Sequence, residues 1–130
     1  MSENSEALER GYDAFNSGDT DTLAELYQDD ARWDGPNTDG VPLSGVHEAK
    51  DAILQALGSA SEDFEEIRVT PDEMIEEGDT IVVLSHLEGK AKSGNEFKLP
   101  GVEVYWMKDG KAERVQSLVD TAEMKKVLGS

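Results

Sequence analysis

Four side chains of this sequence have the type and setting for proton transfer, and each also has a plain structural use. Asp34 follows Trp33 at the mouth of a turn-rich stretch, where a carboxylate desolvated against an indole rises in pKa toward values that suit a general base. The same residue opens an Asp-Gly-Pro turn, which needs no chemistry to explain it. His86 carries an imidazole, the side chain best suited to exchanging a proton near neutral pH, and is a general base if it faces inward from its strand; the flanking residues are apolar on both faces, so either direction is open. Tyr12 lies on an apolar helical stripe and brings a hydroxyl donor to whatever that stripe encloses. Asp120 heads Asp120-Thr121-Ala122-Glu123, a capping-box-like start to a final helix, and a buried capping carboxylate can also carry a proton. The other histidine, His47, reads as a surface or capping group at a helix start.

Several chemistries are not implied. The chain has no cysteine, so thiolate catalysis, disulfides and cysteine-bound zinc are excluded. No metal-ligand spacing, phosphate loop or nucleotide fingerprint occurs, so neither a metal nor a dissociable cofactor is expected. Twenty-nine acidic against 12 basic side chains give a formal charge of −17 over 130 residues, which repels phosphate backbones and anionic membrane surfaces. Nucleic acid and membrane are therefore not expected partners. A solvated acidic surface, salt adaptation or a basic protein partner each accounts for the charge. The opening residues lack the basic and apolar segments of a signal peptide, and no apolar run is long enough to cross a bilayer; the expectation is a cytoplasmic protein.

The elements that must position these groups follow from two periodicities. Ala7, Leu8, Gly11, Tyr12 and Phe15 recur at helical spacing, predicting a helix over residues 5–16, stopped by Ser17-Gly18 and followed by a shorter one capped by Asp19 and carrying Leu23, Leu26 and Tyr27. A short strand at 31–33 and a long irregular stretch through Gly45 come next. Val46, Ala49, Ile53 and Leu57 predict a third helix that ends at Gly58-Ser59. From about 65 to 119 the chain alternates as about four strands joined at Glu77-Gly78-Asp79, Ser93-Gly94-Asn95 and Asp109-Gly110. Pro71 marks the first of them as bent, bulged or at an edge.

Asp109-Gly110 suits a two-residue type I′ hairpin, and counting outward pairs Val104 with Val115, Val102 with Ser117 and Trp106 with Glu113. That register puts Val102, Val104, Trp106, Val115, Ser117 and Val119 on the face that meets the helices. It leaves Glu103, Tyr105, Arg114, Gln116 and Leu118 on an outer face suited to a second subunit, with Arg68 and Glu103 as a rim or dimer-face pair. A two-residue turn at Ser93-Gly94 pairs Ser85 with Val102 and turns His86 outward; one extra loop residue reverses both.

The run Tyr12-Asp13-Ala14-Phe15-Asn16-Ser17-Gly18-Asp19, then Leu26-Tyr27-Gln28-Asp29-Asp30-Ala31-Arg32-Trp33, with Gly45 before the third helix and the ending Asp109-Gly110-Lys111-Ala112 … Asp120-Thr121-Ala122-Glu123-Met124 … Val127-Leu128-Gly129, resembles the SnoaL-like and ketosteroid-isomerase-like proteins of the nuclear transport factor 2-like superfamily. The resemblance spans nearly the whole chain and implies a single domain over residues 1–130. It implies an α+β fold, a cone-shaped curved mixed or antiparallel sheet wrapped around N-terminal helices (also described as cystatin-like), with an apolar pocket and homodimers that pack sheet on sheet. Asp120 occupies the place of the proton-transferring aspartate of SnoaL-like cyclases. The tyrosine donor, aspartate base and second acidic donor of ketosteroid isomerases fall at Gly11, Gly35 and Val102, so that site is not reproduced in place; Tyr12 and Asp34 each stand one residue away.

Together these readings give a small-molecule-binding protein whose apolar, cyclic ligand meets Phe15, Trp33, Val102, Val104, Trp106, Val115, Ser117 and Val119. If it is an enzyme, it is a cofactor-free isomerase, cyclase or lyase that moves a proton next to a carbonyl, with Asp120, Asp34 or His86 as acid/base and Tyr12 as donor. The alternative is a non-catalytic ligand carrier or interaction module of the same fold.

Overall fold

Helix α1 (Glu3–Ser17) buries Ala7, Leu8, Gly11, Tyr12 and Ala14 on one face in the computed structural model of the chain, which describes residues 2–129. Its start is held by a reciprocal cap between Ser2 and Ser5, and its end by Gly18 at φ 76°, a left-handed conformation that glycine adopts at little cost. Asp19 then caps α2 (Thr20–Ala24) by accepting from the Thr22 N–H. This helix stops short of the expected Leu26 and Tyr27, because Tyr27 already opens strand β1 (Tyr27–Asp34).

The stretch expected as one helix from Val46 to Leu57 is split. Val46–Glu48 is a short strand, β2, paired antiparallel with the end of β1, and helix α3 covers Lys50–Ser61. Ala49 between them has φ 78° and donates its N–H to the Ala31 carbonyl, so the sheet claims the residues that helical spacing assigned to α3. At the other end Gly58 is accommodated inside the helix rather than ending it.

Strands β3 (Phe64–Glu77), β4 (Thr80–Ala91), β5 (Glu96–Lys108) and β6 (Lys111–Val119) form the expected meander, and helix α4 (Thr121–Leu128) closes the chain. The sheet has six strands in the order β2-β1-β6-β5-β4-β3 and is not closed. All neighbours are antiparallel except β1 and β6. Pro71 lies in edge strand β3 at a break in register, as a proline without an N–H requires.

One bulge corrects the expected facing of β5. Asp109 and Gly110 do form the two-residue turn, with φ 53° and 76°, and Lys108 pairs with Lys111. Trp106, however, pairs with Arg114, Tyr105 with Val115, and Glu103 with Ser117. Glu113 is the extra residue, and a one-residue slip exchanges the faces of a strand. Glu103, Tyr105 and Met107 are thus buried on the inner face, whereas Val102, Val104 and Trp106 are half-buried on the outer one. The β4–β5 loop also differs by one residue, pairing Ser85 with Gly101. The two offsets cancel at β4, so Ser85 faces in and His86 faces out.

Two apolar clusters fill the inside. The larger centres on Leu8, Ile53, Ile81, Val83 and Val115, all fully buried. The smaller packs Phe64, Phe97 and Leu99 against Met124 and Val127 of α4. That helix is fastened at its end by Ser93 Oγ and Asn95 Nδ2, which both donate to the Val127 carbonyl, at 2.7 and 3.0 Å. Among the described residues no helix is long and apolar enough to cross a membrane.

Candidate functional site

A cavity of about 110 Å³ lies where the two clusters meet. Helix α1 supplies Gly11, Tyr12 and Phe15 to its wall, and α3 supplies Leu57 and Ala60. Phe64, Ile67 and Val69 close it from β3, and Pro36, Pro42 and Leu43 from the long loop. The lining is mostly hydrocarbon; its polar groups come from Tyr12 on α1, Ser61 on α3, Tyr27 and Trp33 on β1, Glu103 and Tyr105 on β5, and Ser117 on β6.

Glu103 is the chief exception. Its side chain is 6 % exposed and accepts a hydrogen bond from Tyr12 Oη at 2.7 Å and from Ser85 Oγ at 3.1 Å to each carboxylate oxygen. Tyr105 Oη donates to Tyr12 Oη at 3.1 Å, and the two rings meet edge to face. Gly101 makes room for this group: a Cβ there would stand 3.2 Å from Glu103 Oε2, 3.0 Å from Ser85 Oγ and 2.8 Å from Leu87 Cδ1.

Burial pushes the Glu103 carboxyl up from the ordinary carboxylate range, although the bonds from Tyr12 and Ser85 pull the other way. Desolvation raises Tyr12, Tyr27 and Tyr105 as well, with the negative charge of Glu103 adding to each. The phenols therefore remain protonated donors while the carboxyl is the group that titrates. The arrangement suits a carboxylate that takes up a proton in a dry site and a line of hydroxyls that steadies either of its charge states.

Among the residues expected at the site, Tyr12, Phe15, Trp33, Ser117 and Val119 line the cavity. Val115 is fully buried in the core instead. Val102, Val104 and Trp106 are turned away from the cavity by the Glu113 bulge; Trp106 carries the Arg114 guanidinium over its ring at 4.6 Å. Asp34 lies on the outer side, accepting from Arg32 Nε at 3.0 Å and Arg114 Nε at 3.1 Å. Its pKa moves down, not up: burial raises it, but the bonds and charges of the two arginines outweigh that. His86 stands on the outer face between Asp72, 2.8 Å from Nδ1, and Glu88, 3.4 Å from Nε2. Asp120 is exposed and accepts from the Glu123 N–H at 3.1 Å, while the Glu123 side chain turns to Lys126. Of the four expected proton-handling residues only Tyr12 reaches the cavity. Glu103, expected on the outer face as a rim or dimer-face residue, is the cavity's carboxyl among the described residues.

Among the described residues no cluster of histidine and acidic side chains could hold a metal ion. The profile of the SnoaL-like domain matches residues 8–115 of the chain. The chain belongs to the SnoaL-like domain family. Among solved structures, this SnoaL-like chain is similar to a nuclear transport factor 2-like protein of unknown function from Burkholderia pseudomallei K96243, at 29 % identity over 100 % of both chains with a TM-score of 0.93. It is also similar to TerC, co-crystallised with polyporic acid, at 28 % identity over 99 % of this chain and 100 % of that one, with a TM-score of 0.91. A protein from Jannaschia sp. CCS1 described as a SnoaL-like polyketide cyclase shares the fold at 20 % identity, over 98 % and 93 % of the two chains, with a TM-score of 0.84. A search of curated proteins finds none that matches.

Proposed function

We propose that this SnoaL-like protein binds a flat, apolar, carbonyl-bearing cyclic molecule and moves a proton next to the carbonyl with Glu103, without a cofactor. The observation that carries this reading is a desolvated carboxyl, raised in pKa and held by Tyr12 and Ser85, in the wall of a hydrocarbon-lined cavity. A carboxyl with no functional use is costly to bury, and sites tuned in this way concentrate at functional clefts. In the proposed step the C–H bond beside the carbonyl breaks, its proton forms an O–H bond at Glu103, and the electron pair moves to the carbonyl oxygen. Return of the proton to another carbon isomerises the ligand. Attack of the enolate carbon on an electrophilic carbon of the same molecule closes a ring. TerC supports the ligand class, because polyporic acid is an aryl-substituted hydroxyquinone, flat and rich in carbonyl oxygen.

A second reading, a carrier that binds the same class without turnover, is favoured by one observation: Asp34, His86 and Asp120 all lie outside the cavity, leaving Glu103 as its one acidic side chain among the described residues. Deuterium exchange separates the two. The protein is incubated with 2-tetralone in D2O and exchange at the carbon beside the carbonyl is followed by NMR. Proton transfer by Glu103 predicts accelerated exchange that Glu103→Gln lowers by roughly 10²-fold or more. Binding with exchange no faster than in buffer leaves the carrier.

For the outer sheet face we propose a second copy of the chain as partner. Cross-strand neighbours there form a continuous apolar stripe of Ile75, Val82, Val104, Leu84, Val102 and Leu118. Ile75 and Leu118 are each 51 % exposed, and a contiguous exposed apolar patch of this kind is the usual mark of an interaction surface.

A further inference from the structure

Glu103, Tyr12, Ser85 and Tyr105 bond to one another, whereas one fully buried polar atom of the cavity wall has no partner among the described residues. Trp33 is 5 % exposed and lines the cavity, yet no acceptor of the described protein reaches its indole Nε1–H. Among the described residues it is the one fully buried side-chain nitrogen or oxygen in that position. A buried donor without an acceptor is costly, and a wall that needed only an aromatic ring is served equally by phenylalanine.

The sheet fixes where this donor stands relative to the carboxyl. Trp33 pairs with Val115, and Val115 with Tyr105, so Trp33 and Tyr105 share one row across the inner face. Two strand spacings put their backbones about 10 Å apart. Glu103 is the next inward residue along β5. The chain after Trp33 is pinned: the Gly35 N–H donates to the Gly45 carbonyl at 2.8 Å, and a Cβ on Gly35 would fall 1.7 Å from the Leu43 carbonyl oxygen. The indole therefore sits on a strand backed by a closely packed loop, a rigid support of the kind that an orienting hydrogen bond requires.

We infer that Trp33 is the second polar anchor of the cavity, donating its N–H to an acceptor oxygen of the ligand while Glu103 faces the ligand from across β6. This rests on the reading of the cavity as a site for a carbonyl-bearing ligand and deepens it: the ligand class is a ketone or quinone, and its hydrocarbon counterpart is discriminated against. A site that provides a buried donor leaves that donor unpaired when the oxygen is missing.

The test compares 2-tetralone with tetralin, the same skeleton without the oxygen, on the full-length protein labelled with ¹⁵N. The two indole N–H signals are assigned with Trp106→Phe, which alters the outer face only. The Trp33 signal is expected to move downfield with 2-tetralone and to stay nearly in place with tetralin. Trp33→Phe is expected to weaken 2-tetralone by roughly tenfold and tetralin by less than about twofold. Equal weakening of both, or a Trp33 N–H signal unmoved while 2-tetralone binds, overturns the role of Trp33 and leaves the cavity as a binding site. Failure of the wild-type chain to bind either probe instead removes the cavity reading, and the anchor with it.

Discussion

Glu103 shows how a single side chain can be legible in type and illegible in place. Its identity and its nearness to the position that a resemblance assigns to an acidic donor are readable from the chain, but its direction depends on whether Glu113 is paired or bulged. Tyr12 had no such dependence, because a helical stripe fixes direction by spacing alone. Asp34 and His86 have the right chemistry on the wrong side of the sheet, where charged neighbours satisfy them. The pH dependence of stability distinguishes the buried carboxyl from these. Its folded-state pKa is raised, so between the unfolded and folded values the native state binds more protons than the unfolded chain, and stability falls as pH rises through that window. Glu103→Gln, which stays neutral, is expected to melt a few degrees above wild type at pH 7, about 4 °C for each kcal/mol, with the difference narrowing toward pH 4. Equal destabilisation at both pH values, followed by circular dichroism, would show the carboxylate to be a structural necessity instead.

At the scale of elements, capping and turn residues were the most readable part of the sequence. Gly18, Asp19, Asp120 and the Asp109-Gly110 turn all do locally what their chemistry dictates. Val46 stands at helical spacing from Ala49 and Ile53, yet Val46–Glu48 pairs as a short strand with β1, and only the bond from the Ala49 N–H to the Ala31 carbonyl marks where the helix begins. The long loop was legible as a loop, but not the tightness with which it folds back onto Gly35. Two glycines test that difference. Gly58 is an exposed glycine inside α3 with nothing within 4 Å of an added Cβ, so Gly58→Ala should stabilise by about 0.5–1 kcal/mol through helix propensity alone. Gly35→Ala drives a Cβ into the Leu43 backbone, and overpacking of this kind costs about 1–3 kcal/mol. Urea denaturation of the two variants should therefore give shifts of opposite sign; shifts of the same sign would mean that the loop gives way freely over the cavity.

For the whole molecule the governing quantities are charge and an open sheet. A formal charge of −17 opposes the approach of two copies, whereas the outer stripe from Ile75 to Leu118 favours it. The two effects differ in range. Repulsion between exposed charges is screened over about 10 Å at 0.1 M salt and about 3 Å at 1 M, while burial of the apolar stripe is a contact effect worth roughly 25 cal/mol per Å². Salt should therefore tip the balance toward pairing, the reverse of an association held by ion pairs. Sedimentation velocity is expected to show the dimer fraction rising from about 0.02 M to 1 M NaCl. Leu84→Glu puts a carboxylate opposite Val102 at the middle of the stripe and is expected to leave a monomer at both salt concentrations, with 2-tetralone binding in the cavity unchanged because Leu84 faces away from it. A wild-type monomer throughout would leave the stripe without the partner assigned to it. A dimer that dissociates as salt rises would place the contact at a charged surface elsewhere on the molecule.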